Sequence, residues 1–315
     1  MSTATTTRPP ASSAPDASKR GALQRSGDWA RRAPLLPALI LVVIVTQLPF
    51  LVTIVTSFLS WNAYYPDQRG FAGIDNFKTV LSDPDARHAI WVTVTLTLAV
   101  VLVSLLLGLV IALLLDRKFL GRGVVRTMMI TPFLIVPVAA ALLWKHALFN
   151  PEYGLLNGLL RGIFGASAPQ VDWIGQYPFL AVMLAIVWQW TPFMMLILLA
   201  GLQSRPLDVV EAARMDGANA WQIFTHMTMP HLRQYIELAG LLGTIYVVQN
   251  FDHVFTITSG GLGTANLPYY IYQTFYTAHD YGLASAAGVI VVILTIIVAT
   301  VALRTVFSLF KEESR

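Results

Sequence analysis

The chain has no cysteine among its 315 residues, and only 12% of them are charged. The first absence removes disulfide scaffolds, thiolate metal sites and cysteine nucleophiles together. The second excludes more, because soluble domains carry roughly a quarter charged residues. Catalytic motifs are missing as well. Nothing matches G-x-x-x-x-G-K-[ST], and no lysine follows a glycine, so there is no phosphate-cradling loop. His226 and His231 are five apart and do not share a helical face as zinc ligands would. No Ser-His-Asp or paired-carboxylate arrangement is identifiable, so no catalytic residue and no metal site are assigned. The formal net charge of +4 comes with no basic run interleaved with stacking aromatics, which argues against nucleic acid as a partner.

What remains is apolar: 56% of residues are hydrophobic, and the mean hydropathy is +0.62. A polytopic, all-α membrane protein is the class that fits, with the lipid bilayer as its solvent. Crossing a ~30 Å hydrocarbon core takes about 20 apolar residues. Six stretches qualify, at about 34–58, 90–115, 124–149, 179–202, 234–258 and 284–308. The third to fifth carry Pro132, Pro137, Pro192, Glu237 and Asp252, so they are not simple lipid-facing anchors. Prolines are tolerated there when neighbouring helices satisfy the freed carbonyls. Residues 1–33 are rich in Ser, Thr, Ala and Pro and cannot bury a core, which reads as a disordered tail. The apolar run that follows is too long for the h-region of a signal peptide.

Basic residues orient the spans. Sixteen fall in the tail, the second-to-third and fourth-to-fifth connections and the C-terminus, against five on the other side. Both termini are therefore expected in the cytoplasm, and residues 259–283 form an external connection without a single Lys or Arg.

The cytoplasmic connection at 204–230 is more than a linker. Pro206 suits the first turn of a helix, and Val209, Val210, Ala213 and Met215 give that helix an apolar side. Gly217 can take the positive φ that reverses the chain after Asp216. Trp221, Phe224 and Met227 recur at three-residue spacing, as in a second short amphipathic helix, and Pro230 separates it from the next span. Such a hairpin has bulky apolar residues it cannot bury alone. It either lies on lipid headgroups or docks into a groove on a cytoplasmic partner.

Glu211-Ala212-Ala213, then Gly217, then Met227-Thr228-Met229-Pro230 resembles the EAA motif of ABC-importer permeases, with Met at the two apolar positions before the proline. The likeness runs over nearly all of residues 34–310 and is nearest to carbohydrate-uptake permeases of the maltose type. It includes FAGIDNF at 71–77, GLVIALLL at 108–115, GRGVVR at 121–126, Pro151 with Tyr153, Gly154 and Asn157, and Thr258-Ser259-Gly260-Gly261. The resemblance implies a type I permease domain over 34–310 in a bacterial inner membrane. It also implies a second permease subunit as a heterodimer partner, two cytoplasmic ATPase subunits carrying ATP and magnesium, and an external substrate-binding protein. The chain itself then has no cofactor and is not an enzyme. In that scheme 204–230 is the coupling segment, with Glu211 as the charged contact, Gly217 as the turn, and Trp221 and Phe224 as anchors.

Solute contacts belong near the bilayer midplane. Gln189 and Trp190 in the fourth span and Asn250 and Phe251 in the fifth lie about 15 Å and 12 Å from the outer ends. Amides and aromatic rings suit a neutral, hydroxyl-rich solute, although amides also bond across helix interfaces. Lys145 is the one cation near a span on the outer side, so a sugar or sugar alcohol is favoured over an anion. Leu267–Phe275 resembles polyol permeases. Two other classes stay open: an ion-coupled secondary transporter using Glu237 or Asp252, and a structural membrane subunit.

Overall fold

The computed structural model describes residues 33–311, with side chains from Pro34 to Val301 except Ala166 and Leu207. The tail expected at 1–33 falls, up to Arg32, outside the described residues. Two compact units divide between Val52 and Thr53. That boundary falls inside the first helix, α1 (Leu36–Ser57), an apolar helix that carries Pro49.

In the second unit, a two-residue hairpin pairs β1 (Leu59–Ser60) with β2 (Gly70–Phe71), antiparallel, with Leu59 opposite Phe71. The short helix α2 (Asp75–Ser82) leads into α3 (Pro84–Asp116). There Asp83 caps the first turn by accepting from the Asp85 N–H, and Pro84 fits where its missing N–H costs nothing. The remaining helices are α4 (Arg122–Leu134), α5 (Pro137–Leu142), α6 (Leu155–Phe164), α7 (Trp173–Gln176) and α8 (Pro178–Gln203). After them come α9 (Leu207–Met215), α10 (Ala220–Ile223), α11 (Met229–Val248), α12 (Asp252–Thr258), α13 (Leu267–Tyr272) and α14 (Tyr281–Lys311). π-Helical turns extend them at Leu143–Leu148 after α5, Phe224–Thr228 between α10 and α11, and Gln273–Thr277 after α13.

Helices α3 and α8 form the centre. Val100, Val101, Ala185, Ile186, Met194, Met195, Leu198 and Leu199 are buried there. Lipid tails are as apolar as these side chains, so tight contact rather than water exclusion has to hold the helices together. Gly108 provides it: a Cβ there would lie 2.9 Å from the Met195 nitrogen and 3.0 Å from the Met194 Cβ.

The six expected spans are not all continuous helices. Among the described residues, four helices can cross a membrane by length and composition, α1, α3, α8 and the Tyr281–Val301 part of α14, and the stretch expected as the third span is a pair bent by 98°. The bend has a local cause. Pro137 disfavours helical geometry in the residue before it, and Ile135 and Val136 take extended ψ values of 137° and 133°. The stretch expected as the fifth span is also split, into α11 and α12, with Gln249–Phe251 between them. Two expectations about the connections need correction. Pro230 does not separate the second hairpin helix from the next span: helix runs on through the π turn, and Pro230 sits at the start of α11. The connection at 259–283, expected as a loop, contains α13, whose Leu267, Tyr269 and Tyr270 are buried.

Candidate coupling and translocation sites

The hairpin from α9 to α10 is built by local rules. Pro206 is the N-cap of α9 rather than its first turn, and Asp208 near the start and Arg214 near the end suit the helix dipole. Gly217 has φ +86, and the space where its Cβ would point is empty. Conformation alone, not crowding, therefore calls for glycine there. The reversal is closed by Ala218 N–H donating to the Ala213 carbonyl at 3.0 Å and Gly217 N–H to that of Arg214 at 3.1 Å. Asn219 and Gln222 then form a capping box, each side chain accepting from the other's backbone N–H, at 2.9 and 2.8 Å. This box carried a sequence signal, Asn followed three residues later by Gln, that the spacing of Trp221 and Phe224 overshadowed.

On this scaffold Glu211, Ala212, Asp216, Met215 and Trp221 are exposed, Trp221 by 70% and Met215 by 88%. Ala213 and Phe224 are half-buried and Pro230 is exposed. The Trp221 and Phe224 rings lie 5.7 Å apart. Arg205, Pro206, Val209 and Val210, with His226, Met227 and His231, line a cleft of about 270 Å³.

The two pairs expected to meet the solute sit at the two helix breaks. Gln189 is buried in α8, and its Nε2 donates to the Ile135 carbonyl at 2.7 Å, which the α4–α5 bend leaves without a helical partner. Its Oε1 is buried with no hydrogen-bond partner. Asn250 lies in the α11–α12 break with Nδ2 3.0 Å from His253 Nδ1. An amide nitrogen only donates, so Nδ1 accepts and the ring proton resides on Nε2. That Nε2 and Asn250 Oδ1 are both buried without partners, and His253 is fully buried. The Asn250 carbonyl accepts from Asn266, which also caps α13.

Aromatic rings surround both breaks. Trp190 stacks on Tyr246 at 5.4 Å and meets Phe133 and Phe193 edge-on at 5.6 Å each. Phe251 stacks on Phe255 at 5.1 Å and contacts Tyr272 at 5.2 Å. One apolar cluster contains Trp190, Phe193, Phe251 and Tyr272, but no hydrogen bond or ring contact joins Gln189 or Trp190 to Asn250 or Phe251 among the described residues. The expectations missed Phe193, Tyr246 and Tyr272, and placed His253, with Asp252, at an external gate rather than beside Asn250. Tyr246 lies four residues before Asn250 and Phe193 three after Trp190, and those helical spacings were the available signal.

Two of the charged groups near the spans are engaged. Glu237 pairs with Arg233 at 2.8 Å, and Lys145 Nζ donates to the Thr256 carbonyl at 2.8 Å. No group of three or more His, Cys, Asp or Glu that could hold a metal occurs among the described residues. Outside the spans, the Tyr270 hydroxyl donates to Asp83 Oδ2 at 2.7 Å. Burial first, and the Asp83 carboxylate second, raise the phenol's pKa above its ordinary value.

Residues 104–309 match the family described as binding-protein-dependent transport system inner membrane component. The chain is 34% identical to the trehalose/maltose transport system permease of Thermococcus litoralis, over 83% of this chain and 88% of that one. It is also 34% identical to the trehalose transport system permease of Mycobacterium tuberculosis, over 81% of each. Its fold is similar to a chain in the crystal structure of a bacterial ABC transporter that imports alginate, with a TM-score of 0.76 and 22% identity over 92% of this chain and 99% of that one. The importer class is thereby favoured over an ion-coupled transporter, and the expected family and permease fold are borne out. The chain belongs to the family of inner-membrane permease components of binding-protein-dependent ABC transport systems, and is a transport subunit rather than an enzyme.

Proposed function

We propose that the chain is one permease half of an ATP-driven importer that passes a neutral sugar or sugar alcohol, delivered by an external binding protein, across a bacterial inner membrane. Residues 34–310 form the permease domain, both termini face the cytoplasm, and 204–230 is the coupling segment. A second, non-identical permease completes the path, and two cytoplasmic ATPase subunits supply ATP and magnesium chemistry.

The observation that carries this is the hairpin: an exposed Trp221 beside Phe224, on a turn held by Gly217 and a capping box. A rigid knob with a bare indole is built to enter a groove on another protein. Glu211 and Asp216 give it a charged rim, and Ala212 and Ala213 let the partner approach closely. Nucleotide-driven closure of the ATPase pair then moves the knob as a rigid element and tilts the helices attached to it.

Along the path, the partnerless Oδ1 of Asn250 and Oε1 of Gln189 accept hydrogen bonds and His253 Nε2 donates one. Trp190, Phe251 and their neighbouring rings offer flat apolar faces to the CH groups of a sugar. Among the described residues, Arg233 is paired with Glu237 and Lys145 is held on the Thr256 carbonyl, which favours a neutral solute over an anion. The test is uptake into vesicles by the chain assembled with its second permease, ATPase subunits and binding protein. Sorbitol, mannitol, trehalose, maltose and glycerol 3-phosphate form the panel. Uptake of a neutral member that stops without ATP is expected, and carriage of the phosphorylated solute alone would contradict the solute class.

A further inference from the structure

We propose that Arg205 is a positioning residue that carries movement of the hairpin into α3 and α8, an inference that rests on the coupling role proposed above. Its guanidinium joins three helix ends. Nη2 donates to Asp116 Oδ2 at 2.7 Å, at the last residue of α3. Nε donates to the Leu202 carbonyl at 3.0 Å, in the last turn of α8. Nη1 donates to Thr228 Oγ1 at 2.7 Å, in the π turn that begins the long helix on the other arm of the hairpin.

Each contact answers a local need. A carboxylate at a helix C-terminus faces the negative end of the dipole, so Asp116 is misplaced there unless a cation neutralises it. The Leu202 carbonyl is among the last of α8, where intrahelical donors run out. Thr228 is buried. The ion pair is largely sheltered, with side chains 16% and 26% exposed, so salt screens it less than a surface pair.

Arg205 also immediately precedes Pro206, the cap of α9. Proline fixes its own φ and restricts the residue before it, so the Arg205 backbone cannot move independently of the first hairpin arm. Displacing that arm displaces the planar fork, and the fork holds α3, α8 and the π turn at once. A lysine ammonium is a point charge without that fork and cannot reproduce the geometry. A π turn inside a long helix is itself a common mark of a functional position.

The alternative is a passive clamp that only holds the cytoplasmic ends together. The two differ in transport per ATP hydrolysed, measured in vesicles containing the complete complex. Variants are Arg205→Met, Arg205→Lys, the isosteric Asp116→Asn, and the reciprocal exchange Arg205→Asp with Asp116→Arg. The expected result is that the single variants keep their ATPase subunits and still hydrolyse ATP, while transport per ATP falls roughly twofold to thirtyfold. The exchange should recover part of that loss. Wild-type transport per ATP in Arg205→Met and Asp116→Asn would overturn the inference. So would a loss of assembled complex with an unchanged ratio in what remains, which is the signature of a clamp. If the unaltered chain binds no ATPase subunit, the coupling role itself fails, and that outcome is separable because it needs no variant.

Discussion

The hairpin and the two helix breaks are both interruptions in long helices, yet they are stabilised in opposite ways. In the hairpin every step is closed by residues at most five apart: Gly217 and Ala218 on the carbonyls of α9, and Asn219 with Gln222. In the breaks the freed backbone carbonyls find partners remote in sequence. Gln189 donates to Ile135, and Asn266 to the Asn250 carbonyl. The hairpin is satisfied within itself and exposes apolar surface, which fits an element that moves as one piece. The breaks are satisfied only in part and keep buried polar atoms open, which fits an element whose missing partner is a solute.

The largest effect that would sharpen this contrast is at Gly217. An L-residue in left-handed geometry costs about 1–2 kcal/mol, and a β-branched one resists it further. Gly217→Val should insert in the membrane at the normal level yet lose uptake and release the ATPase subunits. Gly217→Asn, which tolerates positive φ, should keep much of both. If Gly217→Val supports normal uptake in the vesicle assay, the hairpin is not the coupling element.

A second comparison separates the two roles of amides at the breaks. Asn250→Leu should weaken apparent solute affinity by roughly ten- to hundredfold, the equivalent of about 1–3 kcal/mol for a lost hydrogen bond to the solute. It also leaves the buried His253 Nδ1 without its donor, so the melting temperature should fall as well. Gln189→Leu frees the Ile135 carbonyl as well, so it should lower thermal stability and uptake together. Equal stability losses with unchanged uptake in both variants would make these amides helix contacts only.

The hairpin was legible in the sequence because its signals are local: Glu211-Ala212-Ala213, Gly217 at its spacing, and aromatic residues three apart. The breaks were not, because Pro132 and Pro137 mark a possible bend but not its size, which depends on Gln189 from another helix supplying a donor. Pro230 misled for the converse reason. It looked like a stop, but the π turn ahead of it lets the helix continue. Residues 259–283 looked like a plain loop without Lys or Arg, since the burial of Leu267, Tyr269 and Tyr270 comes from packing against distant segments rather than from any run long enough to be read as a span.

The smallest expected effect is at the Tyr270–Asp83 contact, outside both regions. Folding raises the phenol's pKa, so the neutral form is favoured in the folded chain. Its stabilisation is complete below the unfolded value near 10 and disappears as pH rises through the higher folded value. Tyr270→Phe should lower stability by about 1 kcal/mol at neutral pH. Thermal melts should show the gap from the unaltered chain closing on the alkaline side. A gap independent of pH would assign the effect to packing.

The absence of cysteine makes the central claim directly measurable, because an introduced thiol is unique within this chain. Ala212 is exposed on α9. In the assembled complex, an Ala212→Cys thiol should react with a membrane-impermeant maleimide only from the cytoplasmic side. It should also be joined by a short bifunctional reagent to an ATPase subunit, with uptake arrested while the link persists. Labelling from the external side, or a link to the ATPase that leaves uptake running, would contradict the account.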